Sequence, residues 1–172
     1  RHAQDGEKIY FLRNFGTMNE EEVVEVGING KMNEFQAAIG LLNLPLVSNE
    51  RPLRAQLRAK YNDLLGDLPG VRLPLHQPGV LNSEQYYHLV IDPGQFGRSR
   101  DDVYTDLKQK DIFARKYFHP ICTDFKPYKG SKIHTVYDAP YVETVKSRVL
   151  CLPFHSGVTD QHLEVIRNTF RA

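Results

Sequence analysis

The sequence predicts an α/β or α+β domain in which helices and short strands follow one another. Helical spacing dominates the first part of the chain, where Phe35, Ala38, Ile39 and Leu42 recur on one side of a helix. From Val71 onward, short runs rich in β-branched and aromatic residues alternate with amphipathic segments. The resulting order is helix, helix, strand, strand, helix, strand, helix, strand and helix, which is typical of a sheet covered by helices.

The helices of the first part have recognisable starts and ends. Asn33 is predicted as an N-cap, and Gln36 lies where its side chain can complete a variant of the capping box. Pro45 is expected to end or kink this helix, and a second helix is expected to begin near Pro52. The second helix should end before Gly66. Its apolar stripe comprises Leu53, Leu57, Tyr61, Leu64 and Leu65.

The second part of the chain carries the strands. They are predicted at residues 71–75, 85–91, 112–118 and 149–153. Helices are predicted to begin at Ser99, near Tyr141 and at Thr159. The side chains expected to point inward from the first and last of them are Val103, Leu107, Leu163, Ile166 and Phe170. A loop is expected at residues 123–139.

Composition limits the class of protein and its partners. The chain has 172 residues, 41% hydrophobic and 25% charged, so we expect one folded domain, or one domain plus a fragment of another. A net charge of +1 gives no electrostatic reason to expect nucleic acid or an anionic membrane as a partner. We find no apolar run that could span a bilayer and no signal-peptide core, and two cysteines favour a reducing, cytoplasmic location.

A polar loop directly precedes the first of these helices. Its sequence, GINGKMNEF, contains Gly27 and Gly30, which allow close backbone approach. Asn29 adds a hydrogen-bond donor and Lys31 a positive charge, and a helix N-terminus favours phosphate or carboxylate. The alternative is that the glycines serve the turn and Asn33 only caps the helix. The residue pattern alone favours this alternative.

A second polar group lies at the end of a predicted strand, in the sequence ARKYFHP. The Arg115 guanidinium can pair with carboxylate or phosphate through two parallel hydrogen bonds, and Tyr117 and His119 add oriented donors. The pattern supports equally well an edge strand with solvated charges and a half-buried tyrosine.

Histidine and cysteine residues raise two further hypotheses. Four residues could ligate zinc, namely His119, Cys122, Cys151 and His155. The chain has no CxxC pair and Cys151 lies in an apolar strand, so structural roles are favoured. His88 lies within the aromatic strand, where a hydrogen-bonded core histidine is favoured over a catalyst. The sequence shows no Ser/His/Asp arrangement, phosphate-binding loop or dinucleotide fingerprint.

Several segments together resemble the DegT/DnrJ/EryC1/StrS aminotransferases. GINGKMNEFQAAIGLLNL, residues 27–44, is similar to the family signature G-x-N-x-R-M-x-E-x-x-A-A-x-G-L-x-x-L, and KIYFLRNFG, residues 8–16, is similar to the segment before it. ARKYFHP with Tyr128, Pro140 and VLCLPFHSGVTDQHLEVI is similar to the family's C-terminal run. These pieces occur in the family's order and extend over nearly the whole chain.

The resemblance implies a fold and a division of the chain, because the family comprises pyridoxal-phosphate (PLP) enzymes of fold type I. Residues 1–32 are expected to be the tail of the large PLP-binding domain and an interface loop. Residues 33–172 are expected to form the small C-terminal domain, with a small, mostly antiparallel sheet and flanking helices. The lysine that forms an imine with PLP is expected outside this chain, which alone should be inactive. Lys8, Lys31 and Lys116 do not lie in the required sequence context.

The resemblance also implies roles for individual residues. Asn29 corresponds to an asparagine that reaches across a dimer interface toward the PLP phosphate of the other subunit. Lys31 stands where the family usually has arginine, which keeps the charge and loses the two-pronged donor. The residues expected on the sugar-nucleotide side of the site are Arg115, Tyr117, Phe118 and His119.

The function implied for the complete protein is transfer of an amino group from an amino acid, with glutamate as the expected donor, to a keto-sugar nucleotide. This would be a homodimeric, cytoplasmic enzyme of nucleotide-linked amino sugar or surface polysaccharide biosynthesis. The ARKYF segment is most similar to the branch that makes 3-amino or 4-amino dideoxy sugars. The residue pattern also allows two alternatives to an aminotransferase. One is a non-catalytic α/β ligand-binding or regulatory module, and the other is a small zinc-stabilised domain.

Overall fold

A computed structural model describes residues 3–19, 21–117, 119–121, 125 and 140–172, so most of the loop expected at 123–139 lies outside it. The helices within these ranges are α1 (Ala3–Arg13), α2 (Glu34–Leu65), α3 (Pro93–Phe96), α4 (Arg100–Gln109), α5 (Pro140–Lys146) and α6 (Asp160–Arg171). The strands are β1 (Val71–Arg72), β2 (Tyr87–Ile91) and β3 (Val149–Leu152). None of the helices in the described part is long and apolar enough to cross a membrane.

The chain divides into two compact units, Arg1–Val47 and Ser48–Ala172. The first unit contains α1, the loop that follows it and the first part of α2. The second contains the rest of α2, the three strands and helices α3 to α6. The boundary between the units falls inside α2, whereas the family resemblance places a domain boundary after Met32. The domain division of the complete protein therefore stays a prediction.

The three strands form one antiparallel sheet in the order β1, β2, β3. Because side chains alternate along a strand, every second residue of β2 points to the same face. Tyr87, Leu89 and Ile91 point into the core and are fully buried. His88 points to the opposite face and is exposed. The expected small antiparallel sheet with flanking helices is confirmed.

Helices α2, α4 and α6 contribute the apolar residues that complete this core. The predicted inward-facing residues that are buried are Leu57, Tyr61, Leu65, Val103, Leu107, Leu163, Ile166 and Phe170. Because they interlock with the inner face of the sheet, removing a single large side chain would leave a cavity.

Two buried tyrosines connect α2 to the sheet. The rings of Tyr61 and Tyr87 have centroids 4.7 Å apart. The Tyr61 hydroxyl donates to the Pro153 carbonyl oxygen at 2.8 Å, and the Tyr87 hydroxyl donates to Asn62 Oδ1 at 2.9 Å. Burial raises the pKa of both hydroxyls, so both stay protonated and keep donating.

Three helix starts predicted from the sequence, at Asn33, Ser99 and Thr159, are confirmed. Asn33 Oδ1 accepts from the Gln36 N–H at 2.8 Å, and Gln36 Oε1 accepts from the Asn33 N–H at 3.1 Å. At α4, Ser99 Oγ accepts from the Asp102 N–H at 3.1 Å, and the Asp102 carboxylate accepts from the Ser99 N–H at 2.9 Å. Helix α6 begins with a capping box at Thr159. These pairs satisfy backbone donors that a helix start leaves open.

The prediction of two separate helices at the start of the chain is wrong. Helix α2 is a single helix of 32 residues that continues through Pro45 and Pro52. Each proline removes one N–H, but the surrounding leucine, alanine and arginine residues favour helix, and propagating a long helix outweighs each interruption. The apolar stripe is also shorter than predicted, because Leu53 is 47% exposed.

The predicted strand at residues 112–118 is also wrong over the part that the structure describes. Only Arg115 pairs with β3, exchanging both backbone hydrogen bonds with Cys151 at 2.8 Å. At the start of the segment, the Ile112 N–H donates to the Leu107 carbonyl at 2.9 Å. The segment is therefore attached to the end of α4, and its backbone pairs with the sheet at one described residue.

We predict that Leu107→Ala lowers the free energy of unfolding by about 2–5 kcal/mol, because Leu107 is fully buried and its truncation opens a cavity. The matched control is Leu81→Ala, since Leu81 is 83% exposed and should lose little. Urea denaturation of both variants measures the difference. Equal losses of unfolding free energy in the two variants would contradict the burial of Leu107 in the core.

We predict that the capping box of α4 makes stability depend on acid pH. The Ser99 hydroxyl and backbone N–H hold the pKa of Asp102 below its ordinary value of 3.8. A carboxylate with a depressed folded-state pKa stabilises the fold fully above its unfolded pKa, and that contribution is lost as pH falls through the folded pKa. The melting temperature of the wild type should therefore fall more than that of Asp102→Asn as the pH drops below 3.8. Identical pH profiles in thermal melts would refute this.

Candidate functional site

The polar loop before α2 folds back onto the end of α1. The Phe15 N–H donates to the Ile28 carbonyl at 3.0 Å, and the Ile28 N–H donates to the Leu12 carbonyl at 2.8 Å. An isolated antiparallel bridge joins Asn14 to Asn29. The backbone at Asn29 is therefore fixed by the helix that precedes it in the chain.

Two glycines allow this close approach. Gly16 has a φ of 76°, and a Cβ there would lie 1.7 Å from the Glu25 carbonyl oxygen. A Cβ on Gly27 would lie 2.2 Å from the Gly16 backbone nitrogen. Neither position could hold a side chain without moving the backbone. Gly27 is therefore required by the turn, which agrees with the interpretation that the glycines serve the turn.

Asn29 and Lys31 remain available on the surface of this loop, and both are exposed. Among the described residues, the Asn29 side-chain amide has no hydrogen-bond partner. The Lys31 ammonium lies 4.9 Å from the centroid of the Phe15 ring. Asn33 and Gln36 are occupied with capping each other. The loop therefore combines a completed cap with one amide and one ammonium that could bind an anion.

The second predicted group lies against the outer face of the sheet, which we define by Tyr86, His88, Val149 and Cys151. These four residues and Tyr117 line a cavity of about 250 Å³. His88 is exposed there, so the prediction of a core histidine is wrong. The physical reason is strand alternation, which turns His88 away from its buried neighbours.

Arg115 and Tyr117 line an adjoining cavity of about 240 Å³. Arg115 Nη1 donates to the Tyr117 hydroxyl at 2.7 Å. The rings of Tyr86 and Tyr117 meet edge to face with centroids 5.2 Å apart. Other lining residues are Gln85, Phe113, Cys151, Leu152, Pro153, Phe154 and His155. A guanidinium and aromatic rings beside one cavity can recognise a ligand with both charged and flat parts.

The remaining predicted site residues are not brought into these cavities by the described structure. Phe118 lies outside the described residues. His119 is exposed, and its N–H donates to the Lys116 carbonyl at 2.8 Å. Neither cavity lining includes His119.

The residues considered for zinc do not converge within the described part of the chain. Cys151 is buried, and burial raises the pKa of its thiol, which disfavours the thiolate that binds metal. His119 and His155 are exposed, and Cys122 lies outside the described residues. No group of three or more His, Cys, Asp or Glu side chains in the described ranges could hold a metal ion.

Sequence reasoning missed Tyr86, Phe113 and His155 as residues of these cavities. Tyr86 could have been found, because alternation along QYYHLVI places it on the same face as His88. Phe113 and His155 carry no such signal, since each lies in an irregular segment whose path depends on tertiary packing.

Comparison with known proteins supports the resemblance seen in the sequence. The model of the DegT/DnrJ/EryC1/StrS aminotransferase family matches residues 3–171. A dTDP-4-amino-4,6-dideoxy-D-glucose transaminase of Shigella dysenteriae is 35% identical over 167 residues, which are 96% of this chain and 44% of that protein. The Escherichia coli protein of the same name is 35% identical over 153 residues, which are 87% of this chain and 40% of that protein.

Solved structures agree with this result. DesI, crystallised in the presence of its TDP-sugar product, matches with a TM-score of 0.85 and 32% identity, over 99% of this chain and 43% of DesI. DesV of Streptomyces venezuelae shares the fold, with a TM-score of 0.84 and 21% identity, over 99% of this chain and 44% of DesV. The chain thus spans less than half the length of these relatives. Because the family model matches nearly all of it, the chain belongs to the DegT/DnrJ/EryC1/StrS aminotransferase family.

Proposed function

We propose that the complete protein transfers an amino group from an amino acid, with glutamate as the donor, to a keto-sugar linked to a nucleotide. The observation that carries this proposal is the group formed by Arg115, Tyr117 and Tyr86 beside the outer face of the sheet. A nucleotide sugar offers phosphate oxygens, hydroxyls and a flat base, which these donors and rings can bind. The names of the Shigella and Escherichia coli relatives favour a dTDP-linked 4-keto sugar as the acceptor.

Arg115 is the residue proposed to bind phosphate or carboxylate. One of its terminal nitrogens donates to Tyr117 at 2.7 Å, which orients the guanidinium and leaves further N–H groups for a ligand. We propose that the neighbouring residues Phe118 and His119 belong to the same side of the site, on the basis of the family resemblance.

Asn29 and Lys31 are proposed to hold the phosphate of PLP. Their exposed amide and ammonium fit a phosphate by their chemistry, and the backbone pairing of Asn29 fixes the position from which its side chain extends. PLP, when bound, supplies the electron sink on which amino transfer depends. The amide donates a neutral hydrogen bond, and Lys31 adds a point charge where arginine would add two parallel donors.

We propose that the complete enzyme is a cytoplasmic homodimer in which this loop serves the cofactor of the neighbouring subunit. Exposed apolar side chains on the first part of α2 support an interface there. They are Phe35, Ile39, Leu41, Leu42 and Leu44, each at least 57% exposed. Large apolar side chains exposed in this number are typical of a surface that other protein segments cover.

The experiment that tests the function is an amino-transfer assay with the complete protein, PLP, glutamate and a dTDP-linked 4-keto-6-deoxyhexose. We expect release of 2-oxoglutarate together with formation of the dTDP-linked amino sugar. Cofactor binding without turnover of any keto-sugar nucleotide would refute the proposed function.

We predict that Arg115→Gln raises the KM for the nucleotide sugar about 10- to 100-fold, because it removes charge-assisted hydrogen bonds. The control is Arg167→Gln, since Arg167 is an exposed residue of α6. Steady-state kinetics with varied nucleotide sugar distinguish the two variants. A KM for Arg115→Gln equal to that of the control would exclude Arg115 from the site.

We predict that Asn29→Ala weakens PLP binding by roughly 10-fold, because one hydrogen bond to a charged phosphate is lost. Asn49→Ala is the control, since Asn49 is also exposed but lies inside α2. Cofactor titration followed by absorbance gives both dissociation constants. Unchanged affinity in Asn29→Ala would remove this residue from the cofactor site.

A further inference from the structure

We propose that Asp101 is a positioning residue. Its ion pair with Lys116 fixes the directions of the side chains on either side of Lys116. Those side chains are Arg115 and Tyr117, so the inference rests on the proposed function and deepens it. Asp101 lies on α4 and lines neither of the two cavities described above.

The segment that carries these residues is not a strand of the sheet. Its one backbone pairing with β3 among the described residues is at Arg115, which exchanges two hydrogen bonds with Cys151 at 2.8 Å each. A single bridged pair fixes one residue but leaves rotation of the chain on either side of it. Side-chain contacts therefore contribute to how the rest of the segment lies.

Lys116 supplies those contacts on the side of α4. Its ammonium lies 2.5 Å from Asp101 Oδ1 and 4.3 Å from the centroid of the Tyr104 ring. Its side chain is only 29% exposed. Lys116 lies against α4, whereas its two neighbours Arg115 and Tyr117 line the cavity. Holding Lys116 against α4 therefore keeps Arg115 and Tyr117 directed toward the cavity. The bond between Arg115 and Tyr117 agrees, since it needs both on one side.

Asp101 is itself held in place. Arg100, which is 2% exposed, donates through Nε to Asp101 Oδ1 at 2.9 Å. Arg100 Nη1 also donates to the Val149 carbonyl of β3 at 2.8 Å. Lys116 first, and then Arg100, hold the pKa of Asp101 below its ordinary value, so the carboxylate is charged near neutral pH. The carboxylate thus connects α4, β3 and the segment that carries the proposed site.

The effect of removing this carboxylate should fall on ligand binding more than on stability. Asp101 is 60% exposed, and an exposed ion pair adds little to the free energy of folding. Misdirecting Arg115, in contrast, would weaken a charge-assisted contact with the ligand.

The test compares Asp101→Asn with Asp101→Glu in the complete protein. Asp160→Asn is the matched control, because Asp160 forms a similar pair with Lys60 at 2.6 Å elsewhere on the surface. Two quantities are measured: the hydrogen–deuterium exchange rate of a peptide covering residues 112–117, and the KM for the nucleotide sugar. We expect Asp101→Asn to raise both about fivefold with a nearly unchanged melting temperature, and Asp101→Glu to restore both. The control should change neither.

The outcomes separate this inference from the proposed function. Unchanged exchange in Asp101→Asn overturns the inference, and so does faster exchange with an unchanged KM. If Arg115→Gln raises the KM and Asp101→Asn does not, the site stands and the positioning role fails. If the protein converts no nucleotide sugar, the proposed function fails, and the exchange measurement still decides whether Asp101 holds the segment.

Discussion

The antiparallel pairing of β2 with β3 is the constraint on which the rest of the second unit depends. The register sets Leu89 opposite Leu150 on the core face, and His88 opposite Cys151 on the outer face. A slip of one residue would exchange the two faces, exposing leucines and burying the histidine. This one register therefore determines both the hydrophobic core and the cavities of the outer face. A slipped register is disfavoured because it would expose core leucines to water, so the outer face keeps its arrangement as well.

The same register explains why Arg115 can attach to this sheet. The N–H and C=O of one strand residue point to the same side, so Cys151 turns both toward Arg115 while its neighbours in β3 pair with β2. This pairing brings a guanidinium and Tyr117 to an aromatic surface. We propose that the ion pair of Lys116 with Asp101 on α4 contributes to holding these two side chains in place.

The first unit illustrates a different constraint. Gly16 and Gly27 permit two backbone segments to approach more closely than any side chain would allow, and this approach fixes Asn29. The residue pattern of the loop supports two interpretations, an ordinary capped turn and an anion site. The structure shows that the cap at Asn33 is complete, and the glycines serve the turn. Asn29 and Lys31 are the exposed polar residues of this loop that we propose bind an anion.

Local signals made much of this structure predictable. The capping boxes at Ser99 and Thr159 and the Asn33–Gln36 pair depend on neighbouring residues, and the sequence contains them in full. Errors arose where distant contacts decide the outcome. Pro45 does not break α2, and residues 112–117 do not form a strand, because helix propagation and attachment to α4 outweigh local preference. The exposure of His88 depends on which face of the sheet it occupies, and its place in an aromatic strand does not by itself determine that face.

We propose that the outer face of the β2–β3 pair is the nucleotide-sugar side of an aminotransferase site. The decisive measurement is a crystal structure of the complete protein with a dTDP-linked sugar. We expect ligand density within hydrogen-bond distance of Arg115 and in contact with Tyr86 or Tyr117. A ligand bound with full occupancy elsewhere, with these three side chains in contact only with solvent, would contradict it.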